Sequence, residues 1–396
     1  MYFEGKPAKE IYLIKIGKVR LTRKFYDRNE VIVDSLGEGE FFGLVAAMER
    51  GGQSETATVI EDAYIYALKP ADFNDLIAKN LRIGFKLFNS LANLLREYNH
   101  KIEKLTRLEN EASTADKLLE IGEYYCNNNQ PSQAEYVYRK YIELYPDGKL
   151  VAEIKNKIQN LQTAPSVDQD QKSGSQPMPD NELFERSSRI YQAGEIILCE
   201  FVPGEEMFII VSGHVKITKI TKAGEKVLAL LGPGDIIGEM AVINRKLRSA
   251  TAVATEPSKV VSLTTDNFEQ IIARKPQLLV KLIRVLCDRI RFTAGQLQNF
   301  AVKSPPGRVA GMLVLLGDSH KKKADQNSLI PLFTSAKDLS QMTGAALPET
   351  EAVLGEFVRK EFLKIEEGQI IILDLKNVKA ASEFYAKKEH FSAQGM

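Results

Sequence analysis

The feature that most constrains this chain is that it repeats itself. Phe3-Glu4-Gly5-Lys6-Pro7-Ala8-Lys9-Glu10-Ile11-Tyr12-Leu13-Ile14-Lys15-Ile16-Gly17-Lys18-Val19 has a counterpart in Cys199-Glu200-Phe201-Val202-Pro203-Gly204-Glu205-Glu206-Met207-Phe208-Ile209-Ile210-Val211-Ser212-Gly213-His214-Val215. Each copy continues into a Gly-rich step, Leu36-Gly37-Glu38-Gly39-Glu40-Phe41-Phe42-Gly43 and Leu231-Gly232-Pro233-Gly234-Asp235-Ile236-Ile237-Gly238. More β-rich sequence follows each step, and then a long helix. Short β-branched runs punctuated by Gly and Pro predict an antiparallel barrel or roll, and the repeat predicts two of them. At 396 residues the chain has room for two to four domains.

Between the copies, 113–162 reads as helical. Leu118, Ile121, Gly122, Tyr125, Ala134, Tyr138, Tyr141 and Pro146 follow the spacing of one tetratricopeptide repeat. Small residues let two helices approach, aromatics fill the seam, and Pro146 ends the second helix. One such unit does not bury its own face, so it must pack on a roll or on a partner protein. A plain helical hairpin acting as a spacer is the alternative. Thr163–Asp180, polar, Gly- and Pro-containing and without aromatic anchors, reads as a flexible linker.

Composition narrows the function classes. Hydrophobic residues make up 44% and charged residues 27%, with a net charge of +1, so no global basic field marks a nucleic-acid or membrane binder. Cys126, Cys199 and Cys287 lie far apart and read as reduced, buried small apolar side chains. No apolar run approaches the roughly 20 residues of a membrane span and no signal-peptide pattern opens the chain, so a cytoplasmic protein without membrane attachment is expected. His100, His214, His320 and His390 are scattered away from metal-ligand spacing, and no catalytic motif appears. A non-enzyme without a metal site is the expectation.

The second copy carries the chemistry of an anion site. Its run is Gly238-Glu239-Met240-Ala241-Val242-Ile243, then Asn244-Arg245-Lys246-Leu247, then Arg248-Ser249-Ala250-Thr251. Gly238 allows close backbone approach and opens a short helix whose first N–H groups suit an anion. Glu239 suits a sugar hydroxyl, Arg248 supplies a planar fork for a phosphate, and Ser249 adds a hydroxyl donor.

With these motifs the two copies, over about 1–108 and 183–301, resemble the cyclic-nucleotide-binding domain of the CRP/FNR regulators and of protein kinase A regulatory subunits. The resemblance implies a site at Gly238, Glu239, Met240, Ala241, Arg248 and Ser249, with Glu239 on the ribose and Arg248 on the cyclic phosphate. Aligned on Gly307-Arg308-Val309-Ala310, Thr293 matches the adenine contact of cAMP-responsive members, while Ala294 stands where those members have a second polar residue. Ser249 in place of threonine leans toward cAMP over cGMP. The first copy departs from the pattern: Leu44 stands at the ribose position and Glu55 at the phosphate position. A carboxylate about 4 Å from a phosphate costs about 4 kcal/mol at an effective dielectric of about 20, so this copy is expected not to bind cAMP. It also starts at Met1, where the family has a short helix and a first strand. Either the start lies upstream or the roll keeps an unpaired edge.

From Arg308 the sequence reads helix, polar loop (His320–Asp325), helix, Thr343-Gly344 turn, a helix over 347–360, and a hairpin over 362–372. This resembles the family's winged helix-turn-helix, in which Lys321, Lys322, Lys323, Ser335, Lys337 and Thr350 are the candidate DNA contacts. Family members carry Ser-Arg-Glu-Thr and a further Arg on the recognition helix. The stretch here, Ala346-Leu347-Pro348-Glu349-Thr350-Glu351-Ala352, lacks both arginines. Over 303–396 thirteen Lys and Arg face twelve Asp and Glu, so the module is near neutral where DNA affinity rests on cations.

The expected fold class is α+β multidomain. It combines two antiparallel β-roll (jelly-roll-like) cyclic-nucleotide-binding domains, a short helical repeat segment and a C-terminal winged helix-turn-helix. The expected divisions are a degenerate, N-terminally truncated roll over 1–108, a tetratricopeptide-like stretch over 109–162 and a linker over 163–182. A ligand-binding roll over 183–302 then includes a dimerisation helix at 276–301, followed by the winged module over 303–380 and a tail over 381–396. The stripe Leu279, Leu282, Leu286, Ile290, Thr293, Leu297 predicts a homodimer. A comparable stripe on helix 80–106 leaves open an intramolecular pseudo-dimer. Two functional readings stand: a cAMP-dependent transcription regulator, and a cAMP-responsive interaction protein that does not read DNA sequence.

Overall fold

The computed structural model describes residues 1–24, 30–48, 52–105, 113–161, 187–221, 224–239, 241, 247–321, 329–366 and 368–393. Its elements begin with β1 (Ile11–Lys24), β2 (Glu30–Leu36), β3 (Phe41–Phe42), α1 (Leu44–Met48), β4 (Thr56–Leu68), α2 (Pro70–Lys79) and α3 (Leu81–Leu105). The insert follows as α4 (Thr114–Asn127), α5 (Pro131–Leu144) and α6 (Val151–Asn160). Next come β5 (Ser188–Tyr191), β6 (Ile196–Leu198), β7 (Glu206–Ser212), β8 (Val215–Thr221), β9 (Gly224–Leu231), β10 (Ile236–Ile237), β11 (Thr251–Ala254) and β12 (Ser258–Thr264). The remaining elements are α7 (Thr265–Arg274), α8 (Pro276–Phe300), α9 (Pro305–Lys321), β13 (Ile330–Pro331), α10 (Ala336–Thr343), α11 (Leu347–Arg359), β14 (Leu363–Glu366), β15 (Gln369–Ile372) and α12 (Leu375–Ala393). Two compact units result: Met1–Tyr98 with Glu269–Lys303, and Asn99–Phe268 with Ser304–Met396. The division cuts across sequence order, because α8, expected with the second roll, clusters with the first.

In the first unit the expected roll is a single four-stranded antiparallel sheet among the described residues. The long strand β1 pairs with β2, β3 and β4. Ile14, Val19 and Leu21 of β1 pack inward with Leu36, Phe42 and Ala57. Val19 and Leu21 follow strand alternation, and register shifts between Ile14 and Val19 bring Ile14 to the same face. Ile16, Tyr64 and Tyr66 of β1 and β4 lie exposed. Helices α1 and α2 pack on α8.

In the second unit the expected roll is complete. One sheet runs β10-β7-β12-β5 and the other β6-β11-β8-β9, all antiparallel. Between them lie Leu198, Phe208, Ile210, Val215, Ile217, Leu228, Leu231, Ile237 and Val260. Strand β11 shows why the insert sits where it does. Ala252 and Ala254 face this core, while Val253 joins Ile196 and Cys199 in a second cluster with Leu118, Ile121, Tyr125, Val137, Tyr138 and Tyr141. The helical insert thus buries its aromatic seam on the outer face of one sheet of its own chain. Ser113 caps α4 in a capping box with Asp116, and the Gln133 side-chain amide donates to the Gly194 carbonyl at 2.8 Å. The third insert helix, α6, adds Ile154 to the same cluster. The expected linker over 163–180 lies outside the described residues.

The C-terminal part follows the expected order of helix, helix, turn, helix and hairpin, with additions. Short strand β13 joins the hairpin in a sheet of order β13-β15-β14. Ser335 caps α10 in a capping box with Asp338, and Gly344, at φ 64°, ends it. The expected tail over 381–396 is instead largely helix α12. It is held by buried Leu375 and Val378, by Lys379 Nζ to Asp318 at 2.7 Å, and by the Tyr385 hydroxyl donating to Glu356 at 3.0 Å. Within this unit α10 packs on β9, and Phe333 stacks on His214 with ring centroids 3.8 Å apart. Among the described residues no helix is long and apolar enough to cross a membrane.

Because the insert and the second roll share one apolar cluster, truncating Ile121 to alanine is expected to destabilise both together by about 2–5 kcal/mol. Urea unfolding followed at an insert tyrosine and at the roll should show a single transition moving to lower denaturant. Separate transitions would mean that the insert is an independent spacer.

Candidate functional site

Arg248 is the centre of the second copy's cassette. Leu247 and Arg248 are pinned to the residues after β6, Leu247 through an isolated antiparallel bridge to Pro203. The Arg248 N–H donates to the Val202 carbonyl at 2.9 Å, and Phe201 N–H donates to the Arg248 carbonyl at 3.0 Å. The side chain is buried. Its guanidinium donates through Nη1 to the Gly238 carbonyl at 2.7 Å and through Nη2 to the Glu206 carbonyl at 2.5 Å. The ring of Phe208 lies 5.9 Å below the guanidinium carbon. Two glycines make room for this fork: a Cβ on Gly204 or on Gly238 would fall 2.4 Å from a guanidinium atom. Gly238 also sits at φ +82°, a conformation that other residues seldom adopt.

Glu239, next in the chain, is almost fully buried. Burial pulls Arg248 below the usual guanidinium range, and the Glu239 carboxylate nearby acts against that, favouring the charged form. Ala241 is buried and its N–H donates to the Gly238 carbonyl at 3.2 Å, closing one turn. Ser249 is half-buried, and among the described residues its hydroxyl makes no hydrogen bond. The structure therefore brings Gly238, Glu239, Ala241, Arg248 and Ser249 together, while Met240 lies outside the described residues. Thr293 belongs to the other unit, on α8, where it is buried and its hydroxyl donates to the Arg289 carbonyl at 2.9 Å.

Sequence reasoning missed the surroundings of this fork. Gly204 lies between β6 and β7 and Glu206 opens β7, and nothing in the cassette spacing points to them. The insert also contributes: Tyr136 of α5 packs against the roll, and its phenol is pushed up mainly by burial and then by Cys199 and Tyr191, with Arg248 pulling the other way. Cys199 itself, fully enclosed, has its thiol pushed up to about 12 by burial, which makes it unreactive packing, as expected.

The first copy's cassette has the opposite construction. Gly43 turns at φ +69° into α1, whose first residue, Leu44, is buried. Glu55 does not stand alone as the expected repulsive carboxylate. Arg23 at the end of β1 reaches it at 3.3 Å and donates through Nε to the Ser54 carbonyl at 2.7 Å, while the Ser54 hydroxyl donates to Glu55 at 2.5 Å. The pair is largely buried. A phosphate entering here would have to break an existing ion pair rather than meet a bare anion. Arg23 lies too far from Glu55 in sequence for any local pattern to disclose the pairing.

The DNA-contact candidates divide. Lys337 is exposed on α10, and Ser335 is occupied as the cap of that helix. Lys321 closes α9, and Lys322 and Lys323 lie outside the described residues. Thr350 is a correction: it is 0% exposed, its hydroxyl donating back to the Ala346 carbonyl at 3.1 Å, so it faces the core and touches nothing outside. The apolar period of α11 puts Thr350 on the side of Val353, Leu354 and Phe357. Among the described residues no group of three His, Cys, Asp or Glu is placed to hold a metal ion.

Comparison with known proteins places the repeat. Residues 1–80 and 188–275 each match the family model described as the cyclic nucleotide-binding domain. A CRP-like cAMP-activated global transcriptional regulator of Mycobacterium tuberculosis is 27% identical over 185 residues, 46% of this chain and 83% of its own length. A cyclic AMP receptor protein of Thermus thermophilus is 27% identical over 184 residues, 46% of this chain and 82% of its own. The solved structure of a CRP/FNR-family transcriptional regulator, also from Thermus thermophilus, aligns over 50% of this chain and 98% of its own, at 23% identity and a TM-score of 0.40. The cyclic nucleotide-binding domain model thus matches at both places where the sequence repeats, and over about half of its length the chain is similar to the cAMP-related regulators of Mycobacterium tuberculosis and Thermus thermophilus.

Proposed function

We propose that the second roll binds one cyclic nucleotide, cAMP in preference to cGMP, and that the occupied roll resets the C-terminal module of the same compact unit. The observation that carries this reading is the buried Arg248 fork. It is presented between Gly204 and Gly238, with the Glu239 carboxylate beside it. A cyclic phosphodiester would replace the carbonyl partners of the guanidinium by a charge-assisted, bidentate contact. Glu239 would accept the ribose 2′-hydroxyl, and Ser249 would add a donor. Relatives described as a cAMP-activated regulator and as a cyclic AMP receptor protein support the choice of ligand, as does serine after Arg248. The protein acts by binding and carries out no reaction in this reading.

Coupling to the C-terminal module has a physical route. His214, in the turn just before β8, is hydrogen-bonded to Glu256 at 2.6 Å and stacked on Phe333, and Lys216 of β8 lies 3.8 Å from Asp338 of α10. A ligand shifts this docking only if it binds the docked and released arrangements with different affinity.

For the output, regulation of transcription through a winged helix-turn-helix is the first reading. A specific observation favours a protein-contacting module as the second. The outward side of α11 presents Leu347, Pro348, Glu351, Ala352 and Val358, with Arg359 as its exposed cation. A helix built to enter the major groove carries donors and cations instead.

Two measurements test these readings. Calorimetry with cAMP and cGMP should give tighter binding of cAMP. Arg248→Leu should lose at least about 100-fold in affinity, since about 3–5 kcal/mol is at stake when one member of a buried charge pair is removed. Undiminished binding by the variant would end the assignment of the phosphate site. Genomic DNA fragments captured at two salt concentrations with cAMP present should show retention that falls steeply with salt if the first output holds. No retention at low salt leaves the protein-contacting module.

A further inference from the structure

We propose that the first roll serves as a built-in second subunit for α8, so that the chain is a monomeric pseudo-dimer with two rolls, one nucleotide site and one C-terminal reader. In a homodimer joined through α8, the apolar stripe of that helix would face water in the isolated chain and be covered only by a second copy. Here Leu279, Leu282, Ile283, Leu286 and Ile290 are all buried within the single chain. Helix α8 packs on α1 and α2 of the first roll, inside the same compact unit. The approach is close at Gly84, near the start of α3: a Cβ there would fall 2.6 Å from Leu279 Cδ2 and 2.9 Å from Ile77 Cγ2. Helix α3 carries its own buried stripe of Phe88, Leu91 and Leu95. The surface that a second protomer would need on α8 is therefore already taken by a segment of the same chain.

The charges agree with this division of labour. The first roll closes its own cassette with the Arg23–Glu55 pair, so the built-in subunit supplies packing surface and no second phosphate site. Among the described residues the α10–α11 pair occurs once, after the second roll. Regulators that read DNA as dimers place two such pairs on half-sites one helical turn apart. Among the described residues there is one such pair, which fits a single half-site or a single protein contact.

Light scattering or sedimentation of the full chain, from about 1 to 100 μM and with or without cAMP, tests the proposal. One species at the 44.3 kDa of one chain at every concentration is expected. A species of twice that mass, whether joined through α8 or by exchange of first rolls, overturns it. The stoichiometry rests on the function proposed above: calorimetry should give one cAMP per chain with a Hill coefficient of 1, and two per chain would overturn the closed first cassette. A protein that is monomeric yet ignores cAMP would sink the ligand assignment while leaving the pseudo-dimer standing, so the two failures are distinct.

Discussion

A guanidinium taken out of water needs acceptors in fixed places, because an unpaired buried charge costs several kcal/mol. Arg248 meets that need with two backbone carbonyls, of Gly238 and Glu206, one at the start of the cassette and one at the start of β7. Much of the second roll follows from this. Leu247 and Arg248 are tied to residues 201–203, Gly204 and Gly238 are bare so that the fork can lie against their backbones, and Phe208 closes it from below. A carboxylate buried next to it, Glu239, keeps the charge favourable. The result is a buried cation whose direct hydrogen-bond partners are backbone dipoles.

The first cassette shows what happens when that logic is abandoned on the same framework. Its turn and short helix persist, but Glu55 replaces the cation and Arg23 arrives from another strand to neutralise it. The site becomes an internal ion pair, and the roll around it keeps one sheet among the described residues. This copy also supplies α1 and α2, on which the buried stripe of α8 packs.

The helical insert and the C-terminal module attach to different parts of the second roll by different means. The insert covers an apolar outer sheet face with tyrosines, so its attachment is largely hydrophobic. The C-terminal module touches β8 and the turn before it through a His–Phe stack and a loose Lys216–Asp338 approach. Contacts of this kind are smaller and more polar than the tyrosine seam that holds the insert.

Much was legible in the sequence because it is written in local spacing. The repeat, the cassette from Gly238 to Ser249, the aromatic seam of the insert and the capped helices of the C-terminal part all show as short-range patterns, and each element formed close to where those patterns put it. Glu55 and Leu44 were readable as departures by register alone. The tertiary structure decided which faces meet. It set Arg23 against Glu55, α8 against the first roll, the insert against its own chain's outer sheet, and Thr350 toward the core. It also turned the expected tail into α12. These outcomes depend on pairing between segments tens to hundreds of residues apart, where an apolar stripe or a lone charge records that it needs a partner but not which one. Burial and charge balance choose that partner only once the chain has closed on itself.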